Sequence, residues 1–157
     1  MMIRKLEHYN IRTMKFDETV RFYVDALGMR IDRAPMAPVD LPPTWIYDDS
    51  GVAVVHLTPV DAADPKASYA KMSQYRGGSD FAGPPSFHGS GAIDHVAFEC
   101  EGYDEIVARL KSRNITHVEN DFSQYGLRQV FVRDPNGVTL ELNFRHTLGN
   151  KAPSNPG

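Results

Sequence analysis

Four residues carry the chemistry open to this sequence: His8, His56, His95 and Glu141. Each lies in a short stretch of alternating polarity, and successive side chains of a strand point to opposite faces. In VTLELNF, Leu140, Leu142 and Phe144 share one face while Thr139, Glu141 and Asn143 share the other. In VAVVHLT, His56 falls with Val54 and Thr58, opposite Ala53, Val55 and Leu57. LEHYNIR groups His8 with Asn10 and Arg12, and IDHVAFE groups His95 with Ala97 and Glu99. A single glutamate on a half-exposed strand is ordinarily solvated, and a single histidine is ordinarily a hydrogen-bonded structural residue. Spacing argues otherwise here: 48 positions separate His8 from His56, and 46 separate His95 from Glu141. Three imidazoles and one carboxylate suit one divalent transition metal per site (Zn, Fe, Ni, Co or Mn) better than Mg or Ca, which favour all-oxygen shells.

The elements that must position these donors form a repeat. Residues 6–12 read as a first strand. A helix follows with Asp17 as N-cap, Val20, Tyr23, Val24 and Leu27 at helical spacing, and Gly28 as its C′ residue. Strands are predicted at 30–33, 45–47 and 52–58; the Pro-rich piece at 34–43 is loop or edge. In the second half a strand at 93–99 precedes a helix at 104–113 built on Ile106, Val107 and Leu110, and Asn114 takes the C′ place. A strand at 116–118 and a hairpin over 130–144 follow, turned by Asp134, Pro135, Asn136 and Gly137. Each half is thus strand, helix and three strands, with a metal-capable residue on its first and last strands. The fold class is α+β: two βαβββ modules whose sheets form a concave metal-binding cleft. The first module spans 1–58 and the second 92–146. Between them, the Gly- and Pro-rich connector 59–91 carries one short helix at 67–75 and is expected over the cleft. His88 lies in it and is not counted as a donor. The tail 147–157 is expected to be disordered.

Composition narrows the partners. The chain has 157 residues, 41% hydrophobic and 24% charged, with a formal charge of −3. That is ordinary for a globular protein and gives no electrostatic reason to expect nucleic acid or a membrane surface. No apolar run nears the roughly 20 residues of a membrane span, and the N-terminus lacks an apolar signal core, so the expected location is cytoplasmic. Cys100 is the sole cysteine, excludes an intrachain disulfide, and shares the inward parity of Val96 and Phe98, as a buried, inert thiol would.

These stretches resemble the vicinal oxygen chelate superfamily, which includes glyoxalase I, methylmalonyl-CoA epimerase, extradiol dioxygenases, and fosfomycin and bleomycin resistance proteins. The residues that carry the likeness are His8, the helix end Arg21-Phe22-Tyr23…Leu27-Gly28-Met29, the run Gly91-Ala92-Ile93-Asp94-His95-Val96-Ala97, and Arg133-Asp134-Pro135-Asn136-Gly137…Leu140-Glu141. The resemblance implies that the family's first-strand ligand falls on His8 and His95 and its last-strand ligand on His56 and Glu141. Glyoxalase I usually has Glu at the His56 place and methylmalonyl-CoA epimerase often Gln, so His56 is a departure. Family practice places paired modules within one chain or across a dimer; a homodimer is expected.

Three activities follow. In a lyase or isomerase of glyoxalase type, the metal holds two oxygens of a small oxygen-rich substrate and stabilises an enediolate as a carbon-bound proton leaves. Glu141 and then His56 are the candidate bases. Asn10 and Arg12, on the His8 face, are candidates for an anionic substrate group, and Trp45, Tyr47 and Phe131 for the pocket wall. The alternative is an Fe(II) extradiol-type ring-cleaving dioxygenase with a His8, His95 and Glu141 triad. That pattern usually carries Tyr where this chain has Phe131, and a His where it has Phe122, Ser123 and Gln124. The third is a metal-free drug-binding resistance protein, against which a complete donor set argues.

Overall fold

The computed structural model describes residues 6–34, 42–73, 86–91, 93 and 95–146. The expected tail 147–157, most of the Pro-rich piece and the middle of the connector lie outside the described residues. Two four-stranded mixed sheets form, each with the same order: first, fourth, third, second strand. The first sheet comprises β1 (Tyr9–Thr13), β2 (Arg30–Asp32), β3 (Trp45–Tyr47) and β4 (Ala53–Pro59). The second comprises β5 (Val96–Cys100), β6 (His117–Phe122), β7 (Leu127–Arg133) and β8 (Thr139–Arg145). In each sheet the first strand runs parallel to the last, and the other pairs are antiparallel. The two βαβββ modules are therefore present, and the fold is α+β as expected.

The helices close each module. Helix α1 (Phe16–Arg21) continues into a π-helical turn (Phe22–Ala26), in which Leu27 N–H reaches back to Phe22 O. Asp17 does not cap it. Thr13, buried at the end of β1, accepts the Lys15 N–H, and the Thr19 hydroxyl donates to Lys15 O. Asp17 is left in the first turn, where a carboxylate still favours the helix dipole. Gly28 and Asn114 end the two helical segments in left-handed conformation, at φ +77° and +54°. Helix α2 (Pro65–Ser73) lies in the connector, and α3 (Tyr103–Ser112) buries Ile106, Val107 and Leu110.

Ile11, Ile46, Val55 and Leu57 from the first sheet, and Val130, Val132, Leu140, Leu142 and Phe144 from the second, belong to one buried cluster with both helices. The modules thus share a core within one chain. The first strands begin later than the sequence pattern suggested, so His8 and His95 each stand one residue before their strand. Their placement is the same in both repeats.

Candidate functional site

In the second module, Leu140 and Leu142 are buried on the helix-packed face of β8, which turns Glu141 to the opposite face. There Glu141 lies beside Ala97 on β5 and opposite Phe131 on β7. His95 Nε2 stands 2.8 Å from Glu141 Oε2, with the histidine 35% and the glutamate 13% exposed. The other carboxylate oxygen, Oε1, accepts a 2.8 Å hydrogen bond from Gln129 Nε2, which also donates to Asn143 Oδ1 at 2.9 Å. Phe131 meets the His95 ring edge-on at 5.9 Å.

The first module repeats the plan with an aromatic in the central role. Trp45 pairs with His56 across β3 and β4, just as Phe131 pairs with Glu141. Its indole stacks on the His56 ring at 4.3 Å and 5° and meets His8 edge-on at 4.7 Å. Asn10 Nδ2 donates to Thr58 Oγ1 across the parallel β1–β4 pair. Arg12 points its guanidinium at two rings from the connector, Tyr69 of α2 at 5.1 Å and Phe87 at 5.9 Å. The ends of the connector therefore reach the face that carries His8, Asn10 and Arg12. Tyr47 is engaged elsewhere: Arg30 lies over its ring at 4.4 Å, and its hydroxyl donates to Arg33 O.

The donors thus come together as a His95–Glu141 pair and as two histidines sharing Trp45. Among the described residues, no three His, Cys, Asp or Glu side chains are grouped closely enough to hold an ion as they stand. The donor chemistry nevertheless fits a transition metal. Adjacent donors on one octahedral ion with bonds of about 2.1 Å stand roughly 3.0 Å apart, close to the 2.8 Å between His95 Nε2 and Glu141 Oε2. A cleft of about 820 Å³ is lined by Arg30, Asp48, Glu99, Glu105 and Arg145 among others. Its lining mixes carboxylates and guanidiniums with apolar residues and contains none of the four candidate donors.

The hairpin turn locks the modules together. Asp134 and Asn136, each 4% exposed, are buried against α1. Asn136 Nδ2 donates to Thr19 Oγ1 at 2.9 Å, and the Tyr23 hydroxyl donates to Asp134 Oδ2 at 3.3 Å. Asp134 Oδ1 also accepts the N–H groups of Asn136 and Val138. Burial raises the Asp134 carboxyl above its ordinary range despite these bonds, and burial likewise pushes up the Tyr9 and Tyr23 phenols. The connector docks on the same turn: the Gly89 N–H donates to Asn136 O. A Cβ on Gly137 would meet the His88 ring at 2.6 Å. His88 covers the turn and does not join the donors.

The model of the Glyoxalase/Bleomycin resistance protein/Dioxygenase superfamily matches residues 5–142, which span both modules and every candidate donor. The chain belongs to that superfamily. The superfamily holds enzymes as well as non-enzymatic resistance proteins, and its members often bind a divalent metal. Solved structures share the fold at low identity. A glyoxalase/dioxygenase from Nostoc punctiforme superposes with a TM-score of 0.62 at 16% identity, covering 92% of each chain. A glyoxylase/bleomycin resistance protein/dioxygenase domain from Frankia gives 0.59 at 14%, covering 92% of this chain and 94% of that one. An antibiotic-binding protein from Streptomyces gives 0.50 at 19%, covering 93% and 99%. No curated protein matches. No helix among the described residues is long and apolar enough to cross a membrane.

Gln129, Asn143, Tyr69 and Phe87 were not singled out from the sequence. Gln129 and Asn143 share strand parity with Phe131 and Glu141, a signal that was legible. Tyr69 and Phe87 come from the connector, whose path no local pattern gives.

Proposed function

We propose that this superfamily member is a divalent-metal-dependent lyase or isomerase acting on a small oxygen-rich substrate. The observation that carries the reading is the His95–Glu141 pair at 2.8 Å, matched in the other repeat by His8 and His56 around Trp45. His8, His56, His95 and Glu141 would hold the metal, drawn from Zn, Fe, Ni, Co and Mn. When bound, such an ion supplies a Lewis acid that polarises substrate oxygens and offsets the negative charge developing on them. Gln129 occupies Oε1 of Glu141, so Oε2 is the oxygen left to that carboxylate, and it would take a proton from substrate carbon only once its bond to the metal loosens. His56 is the second candidate acceptor, a role open to its imidazole only when it is not bound to the metal. Arg12 has no carboxylate partner among the described residues and is held between aromatic rings, which presents it to an anionic substrate group. Asn10 lies beside it, tied to Thr58. Trp45 and Phe131 form apolar walls that limit water at the site. A homodimer belongs to the same proposal and is read by light scattering of the purified protein.

Metal analysis and oxygen dependence test the reading together. The purified protein should carry one transition-metal ion per site, and His95→Ala and Glu141→Ala should lose it while remaining folded. Turnover should persist without O₂ and with Zn, Co, Ni or Mn in place of Fe, and His56→Ala should bind metal more weakly. Undiminished metal in both the His95 and Glu141 variants sinks the site. Stoichiometric O₂ consumption with a catechol, together with an iron-replete His56→Ala protein, replaces the reading with a ring-cleaving dioxygenase.

A further inference from the structure

We infer that Gln129 is a positioning residue that restricts Glu141 to one donor oxygen, Oε2, and thereby sets how many coordination positions remain for substrate. This rests on the metal reading above. A carboxylate can offer a metal one oxygen or two. In this structure the choice is already made: Oε1 accepts from Gln129 Nε2 at 2.8 Å, while Oε2 faces His95 Nε2 at 2.8 Å. The amide is itself held, because its NH₂ group forks between Glu141 and Asn143, two residues of the same face of β8. Both amide N–H bonds are spent on that fork, so rotating Glu141 toward a two-oxygen contact breaks one of them. A hydrogen bond to a charged acceptor is among the stronger ones in proteins and holds a carboxylate rotamer.

The other repeat has different residues at the matching positions. Trp45 stands opposite His56 as Phe131 stands opposite Glu141. Two positions before Phe131 is Gln129; two positions before Trp45 is Pro43, which has no N–H and no polar side chain. An imidazole nitrogen offers a single lone pair, so His56 presents no choice of one donor or two and needs only its ring orientation fixed. The Trp45 stack supplies that through the ring faces, leaving the ring plane, where metal bonds lie, clear of the indole. A carboxylate does present the choice, and the hydrogen-bond fork stands in the repeat that carries one. With four single-atom donors, about two positions of an octahedral shell stay open; a two-oxygen Glu141 would leave about one. Binding two neighbouring substrate oxygens needs both.

The test counts exchangeable water on the Mn(II)-loaded protein by solvent proton relaxation, a measurement independent of turnover. The wild type should show two inner-sphere waters. Gln129→Met, which keeps length and removes the donor, should still bind Mn(II) but show one, with inner-sphere relaxivity falling by roughly half. Gln129→Asn, too short to reach Oε1, should behave the same and serves if the Met variant is insoluble. In a Glu141→His background, Gln129→Met should leave the water count unchanged, whereas a merely structural role for Gln129 would disturb both backgrounds alike. Two waters in the Mn(II)-loaded Gln129 variants overturn the inference while the metal site stands. A wild-type protein that binds neither Mn(II) nor Co(II) overturns the metal reading, and this inference with it.

Discussion

Replacing Asp134 with Ala probes the lock that ties the hairpin turn of the second module to the first helix. The carboxyl is 4% exposed and accepts four hydrogen bonds: the Asn136 and Val138 N–H groups at 2.9 Å, and the Tyr23 hydroxyl and Asn136 amide at 3.3 Å. Removal strands two buried backbone donors at about 1–3 kcal/mol each, and the two longer contacts add about 1 kcal/mol together. Against this, removal recovers part of the cost of keeping an ionised carboxyl buried. The net loss at neutral pH is about 3 kcal/mol, a large part of the roughly 5–15 kcal/mol that holds a domain folded. At roughly 2–4 °C per kcal/mol for a chain of this size, Tm should fall by about 6–12 °C. Tyr23→Phe, which loses only the longer hydroxyl contacts, should cost about 1 kcal/mol. The pH dependence follows from the raised Asp134 carboxyl. Its contribution is fully present below the unfolded value near 4 and is lost as pH rises through the higher folded value. The gap between wild type and Asp134→Ala should therefore be widest in mild acid and narrow toward neutrality. Urea unfolding followed by circular dichroism at pH 4.5, 6 and 7.5 measures it. A loss below about 1 kcal/mol throughout, or a gap that widens as pH rises, refutes the reasoning.

Trp45 is the sole tryptophan and touches both first-module histidines, so its emission should be quenched in step with Co(II) binding. Emission unchanged through saturating Co(II) would remove the first module from the site. Cys100 has its thiol pushed up to about 11 by burial, which leaves on the order of 0.1% thiolate at pH 8. It should react with a disulfide reagent far more slowly in the folded protein than in urea, and equal rates would contradict its placement. Gly28→Ala should cost about 1–2 kcal/mol, because it combines a φ of +77° with the Arg109 guanidinium beside the new Cβ. Asn114→Gly, at φ +54°, should stabilise by up to about 1 kcal/mol; thermal unfolding of both variants decides, and opposite signs would discount the backbone argument.

The repeat and the strand faces of its four metal-capable residues were legible because they rest on the shortest period in protein structure. A residue flanked by Leu140 and Leu142 must turn away from whatever those leucines bury, and that inference needs no tertiary information. The helix ends at Gly28 and Asn114 were legible for a similar reason, since a left-handed C′ residue is a local requirement. Strand starts were less so: His8 and His95 stand just outside β1 and β5, because the ladder begins only where a partner strand supplies hydrogen bonds.

Other features depended on residues distant in sequence. Asp134 and Asn136 have the composition of a solvent-exposed turn, yet they are buried because α1 and the π-helical turn after it, more than 100 residues earlier, present Thr19 and Tyr23 to them. Arg12 on β1 meets Tyr69 and Phe87 of the connector, a contact no periodicity encodes. The sequence by itself determined which side chains face away from the core and what chemistry they can offer, because strand alternation is local. Only the tertiary structure decided which of them meet, that Glu141 is pinned through Gln129 and that His8 and His56 share Trp45, because those contacts form between strands brought together by burying apolar faces.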